Sequence, residues 1–207
     1  MHSARKVPTT MNPGEIATVR IELRYSNPLI WRQVEVPTSL SLEALHDIIQ
    51  LVMGWADDHL WEFTIDKQRY GVPVEDDWGT PPLIAGANVR LHDVLKPRKT
   101  NIDYLYDFGD SWELRLVVTN VRAGEPGVSY PRYIDGECNA PPEDCGGIPG
   151  FYRMLDIVAD PDHPEHVHLK KWLGKYDPTS INTLAIKRSL SRIAKPRSAA
   201  RKRPPHP

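Results

Sequence analysis

No stretch of the 207 residues approaches the ~18 consecutive apolar side chains that a membrane-spanning helix needs. The N-terminus, MHSARKVPTTMNPGE, lacks the apolar middle region of a secretion signal. Together these absences predict a cytoplasmic protein with no membrane partner. Cysteine is scarce, with Cys138 and Cys145 the only two. In a reducing compartment they are expected as free thiols rather than a disulfide. Six residues separate them, too many for a zinc-knuckle half-site, and there is no second cysteine pair. G-x-S-x-G, Walker and dinucleotide-binding motifs are absent, as are H-E-x-x-H and any internal repeat. That removes the common signatures of α/β-hydrolases, P-loop enzymes and nicotinamide-dependent enzymes.

Acidic residues are missing altogether after Asp177. Up to that point 18 Lys and Arg face 27 acids, leaving −9, and the remaining eight cations give +8. The last segment, AKPRSAARKRPPHP, has no aromatic residue to stack on a base. It reads as a solvated, disordered tail over 195–207. The alternative is a nucleic-acid contact through Lys195, Arg197, Arg201, Lys202 and Arg203.

Apolar residues at 40% and charged residues at 26% are ordinary for a globular chain. One domain of ~150 to 180 residues is expected, with tails. Residues 1–14 read as a disordered leader. Val19, Ile21, Leu23 and Tyr25 then alternate with Thr18, Arg20, Glu22 and Arg24, the period of a half-buried strand. LIWRQVEVP completes a hairpin. Ser41 caps a helix with the stripe Leu42, Leu45, Ile49 and Val52, stopped by Gly54. HLWEFTIDKQRYGV reads as a second hairpin, 72–89 as an irregular excursion, and RLHDVL as a single helical turn. Ile102, Tyr104, Tyr106 and Phe108 alternate opposite Trp112, Leu114, Leu116 and Val118 in a third hairpin, turned by Gly109-Asp110-Ser111. NVRAGEPGVS reads as a polar linker. Three helices should follow, spaced by Phe151, Leu155 and Val158, anchored by Trp172 and Leu173, and spaced by Ile186, Leu190 and Ile193. Hairpins first and helices last argue α+β: a mixed or antiparallel sheet with one helix between hairpins, β-grasp-like in its opening order, and a helical C-terminal part. The domain is placed at 15–180 and the last helix at 181–194.

Four constellations could carry chemistry. Tyr106–Asp110, YDFGD, lacks every companion of a kinase metal-binding turn, so Gly109 is expected to supply a left-handed turn position with Asp107 and Asp110 bonding nearby backbone. The alternative is a functional carboxylate pair. His46 and His59 flank Trp55; His46 is expected in the core, donating to a backbone carbonyl, or else paired with His59 and Asp57 or Asp58 around a metal. DPDHPEHVH favours a helix start, with Asp162 as cap and Pro164 in the first turn, over a metal site using His163 and His166. DGECNAPPEDCGGIPGFY carries Asp135, Glu137, Glu143 and Asp144 on a path stiffened by proline and glycine. Glu143 or Asp144 is expected to accept local backbone N–H groups, at that turn or at the start of the following helix. A mixed thiolate–histidine site is the weaker reading.

The segments LRYSNPLIWRQVEVP, LEALHDIIQLVMGWADDHLWEF, YLYDFGDSWE, YPRYIDGECNAPPEDCGGIPGFY and DPDHPEHVHLKKWLG occur in that order. Over residues 16 to 180 the chain thereby resembles the plasmid pRiA4b ORF-3-like family, whose members occur on plasmids and near insertion elements. The resemblance implies a fold and a genomic context, not a reaction. It also implies cysteine at the positions of Tyr133 and Ala140, so a cysteine-built site is not expected here. The reading reached is a binding or accessory module of mobile-element origin, contacting nucleic acid or a protein partner and requiring no cofactor. Its candidate binding residues are His46, Trp55, His59, Asp107, Asp110, Trp112, Asp135, Glu137, Glu143 and Asp144. The alternative is a metal-assisted hydrolase or nuclease using the acids and histidines of 107–168 with a divalent ion.

Overall fold

The structure is a computed structural model that describes residues 14–73, 83–96 and 100–196. Strands β1 (Glu15–Leu23) and β2 (Trp31–Pro37) form the first hairpin. Helix α1 (Leu42–Met53) follows, then β3 (Trp61–Ile65) and β4 (Gln68–Gly71). The strand, strand, helix, strand, strand opening is therefore as the sequence predicts. The short β5 (Ile84–Ala85), a 3-10 turn and α2 (Leu91–Val94) lead into β6 (Asn101–Tyr106) and β7 (Trp112–Ala123). After β8 (Ser129–Tyr130) and β9 (Arg132–Glu137) come α3 (Gly147–Ala159), α4 (His166–Leu173) and α5 (Thr183–Ile193). Lys195–Pro196 pair with β8 as β10.

Eight strands form one sheet in the order β5-β4-β3-β6-β7-β1-β2-β9, antiparallel except at β4–β5. Period-2 alternation sends Val19, Ile21 and Leu23, Val34 and Val36, Phe63 and Ile65, Ile102 and Tyr104, and Leu114 and Leu116 into a single core. The α1 stripe packs into it, with Phe151 and Met154 of α3 and Ile186 and Leu190 of α5. Ser41 accepts the Ala44 N–H and Gly54 ends α1 at φ 80°, as the sequence predicts.

Several local expectations are corrected. Tyr25 and Phe108 do not continue their strands; both follow the last paired residue and are exposed. The first four residues of the polar linker, 120–123, are strand, because β7 runs on to Ala123 as partner to β1. Helix α3 buries Phe151, Met154 and Ile157 rather than Phe151, Leu155 and Val158. The stripe rotates toward α4, whose His166 imidazole meets the Ile157 carbonyl. Trp172 and Ile193 are exposed. The start of α4 is not capped by Asp162: the helix begins at His166, so Pro164 precedes it, and Asp160 accepts the Asp162 N–H. Gly109 is not left-handed, whereas Asp107 and Ser111 are, at φ 55° each. The leader to residue 13, positions 74–82 of the excursion, and the tail cations Arg197, Arg201, Lys202 and Arg203 lie outside the described residues. No helix among the described residues is long and apolar enough to cross a membrane.

Candidate metal centre at one end of the sheet

At one end of the core three segments meet: the loop after α1, the β6–β7 turn, and the loop before α3. Their back wall is aromatic. Trp55 stacks on Tyr106 with ring centres 5.1 Å apart, and Trp112 lies 5.9 Å from Trp55. Both tryptophans are buried, and the Trp55 indole N–H donates to the Pro141 carbonyl. They line the site from behind.

Tyr106 and Glu143 fasten the loops together. The Tyr106 hydroxyl donates to Glu143 Oε1 at 2.5 Å and accepts the Asp58 N–H at 3.1 Å. Glu143 Oε2 accepts the Ala56 N–H at 2.6 Å. Burial, and then the Glu143 carboxylate, push the Tyr106 hydroxyl well above the usual tyrosine range, so it remains a donor. Glu143 therefore bonds across to the α1 loop, not within its own turn. Asp110 takes the local role: its Oδ2 accepts the Gly146 N–H at 3.1 Å. Gly147 is required there, since a Cβ would sit 2.3 Å from the Asp110 carbonyl oxygen.

This arrangement sets His59 against two carboxylates. Its Nε2 lies 3.2 Å from Asp144 Oδ1 and 3.6 Å from Asp107 Oδ2. One ligand atom from each of the three residues falls within 4.8 Å of the others. Ligands ~2.1 Å from a tetrahedral ion stand ~3.4 Å apart, so the spacing suits a divalent cation. Asp107 is nearly buried and held by its own turn, with Oδ1 accepting the Gly109 and Asp110 N–H groups. Asp144 is open to solvent, and Leu60 and Phe108 beside the cluster are about half exposed.

His46 belongs to a different group and does not pair with His59. It is buried, and no backbone carbonyl receives its proton: Nδ1 meets the Tyr104 hydroxyl and Nε2 meets Asp57 Oδ1, each at 2.7 Å. A neutral ring protonated at Nε2 donates to Asp57 and accepts from Tyr104, whose oxygen in turn accepts from Gln50. Burial holds the imidazole below the ordinary histidine range, and Asp57 opposes that shift. With Asp47 these residues make a second three-ligand group. Asp57, Asp107 and Asp144 all adopt left-handed backbone, at φ 64°, 55° and 58°, a conformation aspartate tolerates and one that recurs at functional sites.

The acidic stretch 135–152 is divided. Asp135 and Glu137 lie on β9, where Asp135 accepts the Gly136 N–H and Glu137 accepts the Trp31 indole N–H. Only Glu143 and Asp144 reach the centre. Cys138 and Cys145 are free thiols. Burial raises the first and pushes the second up to about 12, so neither is ready to ionise near neutrality. His163 accepts the Glu165 N–H, and neither it nor His166 joins either ligand group. Sequence reasoning missed Tyr104, Tyr106 and Gln50 as polar members, although a buried tyrosine calls for a hydroxyl partner. It also missed Arg32. That buried guanidinium takes a core position in β2 and donates to the carbonyls of Trp31, Val52, Glu137 and Cys138.

The pRiA4b ORF-3-like profile, described as plasmid pRiA4b ORF-3-like protein, matches residues 15–185. The uncharacterised protein y4hQ of Sinorhizobium fredii (strain NBRC 101917 / NGR234) is 31% identical over 183 residues, covering 87% of this chain and 93% of its own. The crystal structure of MM3350 from Methanosarcina mazei Go1, a protein of unknown function, superposes with a TM-score of 0.75 at 31% identity, over 83% of this chain and 96% of that one. The chain belongs to the plasmid pRiA4b ORF-3-like family.

Proposed function

We propose that the protein is a binding or accessory module that works through a divalent cation held by His59, Asp107 and Asp144. The convergence of these three side chains from three separate segments carries the reading. One imidazole and two carboxylates form a borderline donor set, suited to Zn²⁺ or Mn²⁺ more than to Mg²⁺ or Ca²⁺. The exposed Leu60 and Phe108 would give a ligand on the ion an apolar contact. The second reading, metal-assisted hydrolysis, uses the same residues. It is supported by the open side at Asp144, where a three-ligand ion would keep a position for water.

Protein purified without tag or chelator should contain close to one equivalent of metal, or take it up in calorimetric titration with Zn²⁺ or Mn²⁺. His59→Ala and Asp144→Ala should each weaken uptake at least ~10-fold without changing the circular dichroism. A parent that takes up no metal at millimolar concentration would refute both readings.

A further inference from the structure

Most of the arginines on or beside the sheet are matched by acids: Arg20 pairs with Glu22, Arg24 with Asp103, Arg69 with Glu62, and Arg122 and Arg132 with Glu35, while Arg115 meets the Asn101 amide. The last two helices differ. Lys170 and Lys171 on α4, Lys175 beyond it, and Lys187, Arg188 and Arg192 on α5 are exposed, and none forms an ion pair among the described residues. Lys187 faces the Tyr133 ring, at 5.9 Å, rather than an acid. From His166 to the end of the chain, eleven Lys and Arg meet the single acid Asp177, a net +10, against −11 for residues 1–165. Helix dipoles account for Lys170, Lys171 and Arg192, which sit in last turns, but not for Lys175, Lys187 and Arg188. Trp172, at 50% exposure, stands beside the α4 lysines on a helix that buries no residue.

We infer that the exposed faces of α4 and α5 are a docking surface for single-stranded nucleic acid, with the six cations on phosphates and Trp172 stacked on a base. This goes beyond the tail contact expected from the sequence and is independent of the cation site. An acidic polypeptide would match the charge but offer Trp172 no planar base. A bilayer would need one continuous apolar helix face, whereas the exposed Val167, Leu184 and Ile193 are interspersed with polar and charged residues along the chain and Leu169, Leu173, Ile186 and Leu190 pack on the protein's own core.

The test is fluorescence anisotropy of the full chain with labelled 20-nucleotide DNA and RNA single strands and a DNA duplex, from 50 to 300 mM salt. The logarithm of affinity should fall with the logarithm of salt at a slope steeper than about −4, for six phosphate contacts on a single strand. Replacing Lys170, Lys171, Lys187 and Arg188 by Gln should weaken binding at least ~10-fold, with circular dichroism unchanged. Trp172→Ala should weaken single-strand binding at least ~5-fold and leave duplex binding unaltered. Replacing Arg197, Arg201, Lys202 and Arg203 by Gln should leave measurable affinity, and total loss would return the contact to the tail. Undiminished binding by the helix variant would overturn the inference. So would tighter binding to anionic vesicles or poly-glutamate, or growth of the protein's own mass as salt is lowered, which would mean that a second copy's acidic body covers the helices.

Discussion

The sheet and the C-terminal helices treat positive charge in opposite ways. On the sheet, all the guanidinium groups but the exposed Arg115 are committed to the fold. Arg32 is buried among four backbone carbonyls, beside the C-terminal end of α1 where the helix dipole favours a cation. Burial still lowers its pKa, and no carboxylate among the described residues contacts it. On the outer face, buried Glu35 binds Arg122 at 2.7 Å and Arg132 at 2.5 Å. On α4 and α5 the cations touch no acid among the described residues. Charge enclosed by the sheet is a structural element whose loss leaves orphaned partners. Charge on the helices is disposable to the fold and available to something else.

The largest test of this contrast is Arg32→Ala. It strips the carbonyls of Trp31, Val52, Glu137 and Cys138 of their shared donor inside the core. At ~1–3 kcal/mol for each polar group left unsatisfied, the loss should reach at least ~3 kcal/mol in urea denaturation. A loss below ~1 kcal/mol would mean that the site opens to water and Arg32 is not enclosed. Next in size, Glu35→Ala should cost ~2 kcal/mol by releasing two charged donors. The matched helical change, Arg188→Gln, should stay within ~0.5 kcal/mol. Equal costs for these two would erase the distinction between the regions.

How much of this was legible depended on whether a residue's neighbours were close in sequence. Ser41, Gly54 and the α1 stripe were legible because cap and period are local. The hairpin built on Ile102, Tyr104 and Tyr106 was legible for the same reason. The helix start at Asp162 was not, because the Glu165 N–H that an Asp162 cap would take goes to His163 Nδ1 instead. At the site, His59, Asp107 and Asp144 were each suspected, but in three different constellations. Their assembly depends on the Tyr106–Glu143 hydrogen bond, which spans 37 residues and leaves no periodic trace. Arg32 was hidden by its identity: at position 32 of a strand whose 34 and 36 face the core, arginine reads as an irregularity rather than a buried donor. Asp135 and Glu137 misled because composition grouped them with Glu143 and Asp144, while β9 carries them away from the loop.

The smallest expected effect is a pH dependence belonging to the closed end of the sheet. His168 is exposed, and His92, His163 and His166 are half-buried, whereas His46 is enclosed and faces Asp57, Asp47 and Glu43 as well as the Tyr104 hydroxyl. Burial depresses its pKa while Asp57 acts in the other direction, so the net effect is a difference between opposing contributions. With the folded pKa below the unfolded value of ~6.5, the unfolded chain takes up the proton first as pH falls. The stabilisation is therefore complete above pH ~6.5 and declines below it, until the folded pKa is reached. Urea midpoints should hold steady from pH 8 to 7 and fall from pH 6.5 to 5, and His46→Gln should flatten that fall. A parent midpoint that rises on acidification would mean that Asp57 outweighs burial and that His46 is held as an imidazolium, joining Arg32 as a second enclosed cation.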